Sequence, residues 1–214
     1  AQTAALLLDV SRDYSVGLAT FFRKSFVAQG GKIVATASYN EGDQEFGPQL
    51  AAIKDQNPEV IYLPGYLPEE PLIIRQAREM GLTQPFLSAD AAQADETLKI
   101  GGAAVEGLYL TTHFDEQGAG SEAGRQYARD YRQAYGRGPE ALGAQGYDGY
   151  LILLDAITRA GSTDPEAIVA ALETTRDFPG VCGASSIVDH DAVKPAVILQ
   201  VKQGKFQYVT TVNP

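Results

Sequence analysis

The 214-residue sequence is poor in the residues that carry metal, redox and nucleophilic chemistry. It contains one cysteine, Cys182, and two histidines, His113 and His190. A single cysteine excludes an intrachain disulfide and gives no metal cluster. Cys182 lies in no nucleophile motif, and His190, within Asp189-His-Asp191, belongs to a predicted polar loop. The Glu69-Glu70 pair opens a predicted helix and complements its dipole, since adjacent helical residues do not face each other as catalytic carboxylates. The residue types therefore predict no catalytic centre, no metal site and no cofactor.

Positive charge and long apolar runs are also scarce. The chain carries 17 Lys and Arg against 27 Asp and Glu, a net charge of −10. This balance argues against nucleic acid and anionic membranes as partners, because both are recognised through basic surfaces. No apolar run approaches the roughly 20 residues that cross a bilayer. The glycines at 101–102 and 118–120 lack the strand–GxGxxG–helix context of a phosphate-binding loop. An enzyme of Rossmann or flavodoxin-like type is therefore disfavoured.

Up to residue 112, short apolar runs alternate with stretches of helical periodicity. The predicted strands cover 4–10, 32–39, 60–63, 85–87 and 105–111, and the predicted helices cover 16–28, 48–56, 67–80 and 96–100. Such alternation with short connections is typical of a parallel sheet covered by helices on both faces. The sequence therefore predicts an α/β fold with a doubly wound parallel sheet.

The second half of the chain has a different pattern. Three helices are predicted with no strand between them, at 122–135, 143–160 and 164–173. Three strands follow, at 185–188, 196–202 and 206–210, with Gln203-Gly204 as a hairpin turn. The helix at 143–160 is apolar on nearly all sides and requires cover on several of them. It packs either on the first sheet or in a second domain whose strands are absent from this chain.

Two residues with recognition chemistry follow predicted strands. Tyr66 lies in a Pro-Gly turn after strand 60–63, and Asp90 follows strand 85–87. Open α/β sheets bind ligands at the carboxyl ends of parallel strands. A carboxylate accepts charge-assisted hydrogen bonds, and a tyrosine offers an aromatic face to a cation or an apolar group. We therefore expect half of a small-molecule cleft here. The alternatives are a helix-capping or exposed loop carboxylate for Asp90 and a half-buried structural role for Tyr66.

Seven short motifs occur in order along the chain. They are Asp13-Tyr14-Ser-Val-Gly17-Leu-Ala19, Gly65-Tyr66-Leu-Pro68, Arg75-Gln-Ala-Arg78-Glu-Met-Gly81, Glu106-Gly107, Gln145-Gly-Tyr147-Asp-Gly-Tyr150, Gly180-Val-Cys-Gly183 and Val193-Lys194-Pro195-Ala196. Together they resemble the type I periplasmic solute-binding proteins of ABC transporters, in the leucine/isoleucine/valine-binding branch. The resemblance runs from about residue 3 to the C-terminus.

The resemblance implies a two-lobed protein of which this chain holds one lobe and part of the other. Residues 1–112 and 193–214 would form the second lobe, and 113–119 the hinge or linker. Residues 120–192 would supply the helices and a short strand that cover the first lobe, whose sheet is absent. The chain also begins almost directly in a strand, so we expect a processed or truncated product. A second chain or a swapped copy would supply or replace the first lobe.

The resemblance also implies a set of ligand-binding residues. Tyr14, Tyr66 and Asp90 match positions where the family's second lobe contacts its ligand, and Ala91 offers a backbone group. Tyr147 matches a position that approaches the cleft from the hinge side, although core packing explains it equally well. The family often has glutamate where this chain has Asp90, which leaves the identity of the ligand open.

The function implied is that of a periplasmic, extracytoplasmic substrate-binding component of an ABC transporter. It would bind a small amino acid, aliphatic or branched-chain or related, close around it by a hinge motion and dock on the permease subunits. An alternative is a ligand-sensing regulatory domain of the same fold, for amides or amino acids, which a fused or partner DNA-binding or signalling module would identify. Neither interpretation involves an enzymatic activity, and nucleic acid is not expected as a partner of this chain itself.

Overall fold

The computed structural model describes all 214 residues, which form two units. The first unit comprises Ala1–Thr111 and Leu199–Gln207, and the second comprises Thr112–Ile198 and Tyr208–Pro214. The chain therefore passes between the units three times, after Thr111, after Ile198 and after Gln207.

The chain forms ten strands and seven α-helices. The strands are β1 (Thr3–Asp9), β2 (Lys32–Tyr39), β3 (Val60–Tyr62), β4 (Phe86–Ser88), β5 (Tyr109–Thr112), β6 (Phe178–Gly180), β7 (Gly183–Val188), β8 (Asp191–Val193), β9 (Ala196–Lys202) and β10 (Lys205–Val212). The helices are α1 (Asp13–Ala28), α2 (Gly47–Gln56), α3 (Glu69–Glu79), α4 (Asp95–Gly101), α5 (Glu122–Tyr135), α6 (Ala141–Ala160) and α7 (Pro165–Glu173). Short 3-10 turns occur at Asp90–Ala92 and Gly102–Val105.

The larger sheet has seven strands in the order β10-β9-β5-β4-β3-β1-β2. Strands β1 to β5 pair with one another in parallel, and β9 and β10 form the C-terminal hairpin at one edge. The predicted fold class, an α/β fold with a parallel sheet and a C-terminal hairpin, is confirmed. Because consecutive strands lie side by side with helical crossovers, the carboxyl ends of β1, β3 and β4 meet at one edge.

Burial explains why these segments form the first unit. The run Ala4–Leu7 of β1 is almost completely buried, as expected for a strand whose two faces are both covered. Helix α3 buries Ile73, Ile74 and Ala77, which recur at helical spacing and so lie on one face. The core of this unit therefore lies between the parallel strands and the apolar stripes of the crossover helices.

The second unit contains the three long helices and a sheet of its own. Strands β6, β7 and β8 pair antiparallel in that order. Helices α6 and α7 pack against each other, α5 and α6 contact β6, and α7 contacts β7. Neither β6 nor β8 was predicted, because each has only three residues and β6 contains Pro179. Strands near α6 in sequence therefore do give it partial cover, contrary to the expectation that none could.

The remaining differences from prediction concern boundaries. The strand expected at 105–111 begins only at Tyr109, because Gly102–Val105 turns as a 3-10 helix and Gly107 N bonds Val201 O. The expected hinge, residues 113–119, lies between β5 and α5, where Asp115 Oδ1 accepts hydrogen bonds from Gln117 N and Gly118 N. Its role as a hinge stays a prediction.

None of the helices combines the length and apolar character needed to span a bilayer.

Candidate functional site

Four of the predicted site residues come together at the carboxyl edge of the larger sheet. Tyr14 is the second residue of α1, which follows β1, and Tyr66 lies between β3 and α3. Asp90 and Ala91 begin the 3-10 turn that follows β4. We call Tyr14, Tyr66, Asp90 and Ala91 the strand-end cluster.

Direct contacts join the members of the strand-end cluster. The Tyr14 hydroxyl donates to Asp90 Oδ1 at 2.7 Å, and Ala91 N donates to the Tyr14 oxygen at 3.4 Å. The rings of Tyr14 and Tyr66 lie 4.8 Å apart between centroids, with 36° between their planes. Tyr14, Asp90 and Ala91 are half-buried, whereas 39% of Tyr66 remains exposed. Hydrogen bonds and a ring contact thus hold the cluster together, and the ring of Tyr66 remains partly exposed.

Burial and the neighbouring carboxylate keep the Tyr14 phenol neutral. Burial raises the pKa of Tyr14 above its ordinary value, and the hydrogen bond to Asp90 raises it further. The hydroxyl therefore acts as a donor to Asp90 across the physiological pH range. Asp90, the acceptor of this bond, is itself half-buried.

A hydrogen-bonded frame fixes the loops that carry these residues. Ser15 Oγ accepts from Asp9 N at 3.0 Å and donates to Pro64 O, so it joins the end of β1 to the loop after β3. Ser88 Oγ donates to Leu63 O at 2.9 Å, which joins that same loop to β4. Three of the strand ends are therefore tied together below the cluster.

Arg12 was not predicted as part of the site. Its guanidinium carbon lies 5.9 Å from the centre of the Tyr66 ring, and its side chain pairs with Glu41. A cation over an aromatic ring is attracted to its negative face. The only sequence signal was its place in the polar loop before Tyr14, which does not show which way a long side chain turns.

Tyr147 belongs to the second unit. It lies on α6 with 44% of its surface exposed, and its ring is 4.9 Å from that of Tyr127. With Tyr127, Tyr131, Leu151 and Pro179 it lines a groove of about 620 Å³ within that unit. Core packing, the alternative interpretation of Tyr147, is incomplete here, and its predicted approach to a ligand stays a prediction.

The remaining candidates for covalent chemistry lie in the second unit. Burial, and then the nearby Asp148, raise the pKa of Cys182 to about 12, so the group is a thiol rather than a nucleophilic thiolate. His190 Nδ1 lies 3.2 Å from Glu173 Oε1 on an exposed surface.

The strand-end cluster itself contains a carboxylate, two phenols and a backbone amide, which suits reversible recognition of a cationic or zwitterionic small molecule.

The fold and the position of the strand-end cluster are typical of α/β ligand-binding proteins, and comparison with known proteins identifies the family of this chain. The model of the family described as periplasmic binding protein matches residues 2–205. The chain belongs to this family, and the predicted resemblance to type I periplasmic solute-binding proteins is confirmed. The homologues are solute-binding proteins rather than enzymes.

Solved structures of similar proteins share the fold along the whole chain. The leucine-binding protein LivK of Thermotoga maritima superposes with a TM-score of 0.93 at 42% identity, over 100% of this chain and 61% of that chain. LivJ of Streptococcus pneumoniae, a branched-chain amino acid transporter substrate-binding protein solved with isoleucine, gives 0.84 at 29% identity over 100% and 60%.

Curated relatives give the same family assignment. A Leu/Ile/Val-binding protein homolog 2 from Brucella abortus is 31% identical over 194 residues, which cover 90% of this chain and 52% of the relative. A leucine-, isoleucine-, valine-, threonine- and alanine-binding protein of Pseudomonas aeruginosa is 29% identical over 173 residues, 80% of this chain and 45% of the relative. The chain spans about half the length of the curated relatives it matches.

Proposed function

We propose that this chain is part of the extracytoplasmic, periplasmic substrate-binding component of an ABC transporter. Its ligand would be a small amino acid with an aliphatic or related side chain, and the strand-end cluster would form one wall of the binding cleft. The observation that carries the proposal is the contact between Tyr14, Tyr66 and Asp90 at the carboxyl ends of parallel strands. The names of the similar proteins, which include leucine- and isoleucine-binding proteins, support the ligand class.

Each part of an amino acid finds a matching group in the cluster. The ammonium would donate charge-assisted hydrogen bonds to Asp90, whose position is already fixed by Tyr14. The aliphatic side chain would pack on the aromatic faces of Tyr14 and Tyr66. Ala91 N, held only by the 3.4 Å contact to Tyr14, is a further donor for a ligand oxygen.

The second wall and the motion belong to the same proposal. The first lobe would complete the cleft, residues 113–119 would act as a hinge, and Tyr147 would reach the ligand from the hinge side. The ligand would stabilise the closed state by contacting both walls. The closed form would dock on the membrane subunits of the permease. A second polypeptide or a swapped copy would supply or replace the first lobe. Sedimentation velocity of the purified chain would show such an assembly as a species heavier than 22.8 kDa.

The ligand class is tested by calorimetric titration of a form of the protein in which the first lobe completes the cleft, with the twenty amino acids and with simple amides. We expect binding of aliphatic amino acids and none of the corresponding amines that lack a carboxylate. Absence of binding by every amino acid in the panel would contradict the proposal.

The role of Asp90 is tested by substitution. Asp90→Ala should weaken binding of the best amino acid by about 1.5–3 kcal/mol, because a charge-assisted hydrogen bond to the ammonium is lost. Asp95→Ala is the matched control, since it removes an exposed carboxylate five residues away and should leave affinity unchanged. Equal affinities of the Asp90→Ala variant and the unmodified protein would assign Asp90 a structural role only.

A further inference from the structure

Glu70 is a completely buried carboxyl group behind the strand-end cluster. Its exposure is 0%, and neither Oε1 nor Oε2 has a hydrogen-bond partner. The other two buried carboxylates of the first unit are satisfied: Asp9 accepts from Ser11 N at 2.8 Å, and Glu69 accepts from Gly42 N at 2.8 Å. A buried ionised carboxylate without hydrogen-bond partners is strongly unfavourable. The ionised form of Glu70 therefore lacks the stabilisation that Asp9 and Glu69 receive.

The position of Glu70 connects it to the turn that carries Tyr66. Glu70 N donates to Tyr66 O at 3.0 Å. A methyl group built on Gly65 would lie 3.7 Å from Glu70 Cβ and would overlap the Tyr39 hydroxyl. That hydroxyl is also buried and without a partner. The Glu70 side chain, through its Cβ, and the Tyr39 phenol therefore both pack near Gly65, the residue that precedes Tyr66. The Glu70 carboxyl group and the Tyr39 hydroxyl both have unused hydrogen-bonding capacity.

The surroundings favour a protonated Glu70. Burial raises the pKa of Glu70 to about 8, and the Ser88 hydroxyl opposes this only in part. The Ser88 proton is already donated to Leu63 O, so its oxygen can accept a hydrogen bond but has no second proton to give. A protonated Glu70 has an O–H to donate, and the nearby Ser88 oxygen is able to accept it.

No nearby cation offsets this preference. The titratable groups around Glu70 are carboxylates and phenols: Asp9 of β1, Tyr14 of α1, Tyr39 of β2, Tyr62 of β3, Asp90 after β4 and Glu69 beside it. Burial raises the pKa of each of the three phenols, and Glu70 adds to that effect, so they stay neutral. The lysines of the packed helices are engaged at the surface, Lys54 with Met80 O and Lys99 with Glu96.

We propose that Glu70 is a positioning residue of the ligand site. As a protonated carboxylic acid it stays buried behind the Gly65–Tyr66 turn, and its ionisation, which requires contact with water, releases that turn. The ligand-affinity part of this inference rests on the proposed function, whereas the state of the turn is independent of any ligand. Glu70 does not touch the ligand and acts only through Tyr66.

The direction of the pH effect follows from the two states of Glu70. Its pKa is about 8 in the folded protein and near its ordinary value of 4.5 in the unfolded chain. The folded state therefore holds a proton that the unfolded chain gives up between these values. The stabilising contribution of this proton is complete below about pH 4.5 and is lost as the pH rises through 8.

The first test follows backbone hydrogen exchange of residues 63–69 by mass spectrometry at pH 7 and pH 9, corrected for intrinsic rates. At pH 9 about nine in ten molecules would be ionised at Glu70, so protection of the turn should fall about tenfold. Glu70→Gln, an uncharged mimic of the acid, should keep its protection at both values. Glu69→Gln is the matched control, because it changes the adjacent buried carboxylate and should behave as the unmodified protein does.

The second test measures leucine affinity over the same pH range. The unmodified protein and Glu69→Gln should lose affinity by about tenfold at pH 9, and Glu70→Gln should lose clearly less. If leucine binds and Glu70→Gln shows the same pH profile as the unmodified protein, the inference is wrong. If no amino acid binds, the proposed function fails, and hydrogen exchange alone decides the role of Glu70.

A direct titration covers the case in which Glu70→Gln does not fold. The side-chain carboxyl carbon of Glu70, observed by NMR in the unmodified protein, should titrate near pH 8. A midpoint near 4.5, or exchange in the turn that does not follow this midpoint, would overturn the inference.

Discussion

At the scale of single residues, Gly65 shows how closely the site is packed. Any side chain there would overlap the buried Tyr39 hydroxyl. Gly65→Ala should destabilise the protein by about 1–3 kcal/mol, the usual cost of forcing extra atoms into a packed core. Urea denaturation followed by circular dichroism measures the change in the free energy of unfolding.

Two further variants identify the cause. Gly17→Ala is the matched control, because nothing lies within 4 Å of the added methyl on α1, and it should stabilise the protein by about 0.5–1 kcal/mol. Removing the overlapping hydroxyl with Tyr39→Phe should restore part of the loss in the Gly65→Ala background. Additive effects of Gly65→Ala and Tyr39→Phe would show that the overlap is not the source of the instability.

The residues of the site differed in how far the sequence predicted them. Tyr66 and Asp90 could be placed because each directly follows a strand, and parallel strands end at one edge. The burial of Glu70 could not be predicted, because an acidic residue in the first turn of a helix is also expected at an exposed position, where it complements the helix dipole. The groups that interact with Glu70, Tyr39 and Ser88, lie on strands β2 and β4, far from it in sequence. Arg12 was missed since a long side chain can turn in several directions.

At the scale of elements, Asp148 joins helix α6 to the residues that directly follow strand β6. Its carboxylate is 95% buried and accepts from Val181 N at 2.7 Å and from Cys182 N at 2.8 Å. A side chain on Gly180 would come within 2.6 Å of Asp148 Oδ2, so the approach of the two elements requires that glycine. One side chain thus satisfies two consecutive backbone donors after β6.

Removal of this carboxylate should have a large effect. Asp148→Ala leaves two buried N–H groups without acceptors, and we expect a loss of about 2–4 kcal/mol in the free energy of unfolding of the second unit. Asp155→Ala on the same helix is the control. Asp155 pairs with Arg159 at the surface with 39% of its side chain exposed, so its loss should be at most about 0.5 kcal/mol. Comparable losses for the two variants would refute the anchoring role of Asp148.

The elements themselves were predictable to different degrees. Helices and long strands followed from periodicity, and β2 and β9 occupy the predicted residues. Strands β6 and β8 were missed, because three-residue strands carry almost no pattern. The anchoring of β6 by Asp148 is a contact between residues more than 30 positions apart. No local signal distinguishes such a carboxylate from an exposed one on a helix that is apolar on most sides.

At the scale of the whole molecule, helix α6 has an unusual distribution of side chains. Its buried positions are small or polar, namely Ala141, Ala144, Asp148 and Ala156. Its large apolar side chains remain exposed, including Leu142 at 72%, Tyr150 at 64% and Leu154 at 46%. The sequence correctly indicated a helix that requires cover on several sides, but periodicity alone could not show which side the chain's own packing covers.

This distribution predicts binding of an apolar dye. Contiguous exposed apolar side chains on one helix form the kind of patch that ANS recognises, and isolated ones do not. The double variant Tyr150→Gln and Leu154→Gln should lower ANS fluorescence of the folded chain by roughly half, with stability changed by no more than about 0.5 kcal/mol per site. Phe21→Gln is the control, because Phe21 of α1 is 70% exposed but lies outside the α6 face, and it should leave the fluorescence almost unchanged. Equal dye binding by all three proteins would mean that the α6 face is covered in solution, for instance by self-association, which sedimentation velocity of the same samples would detect.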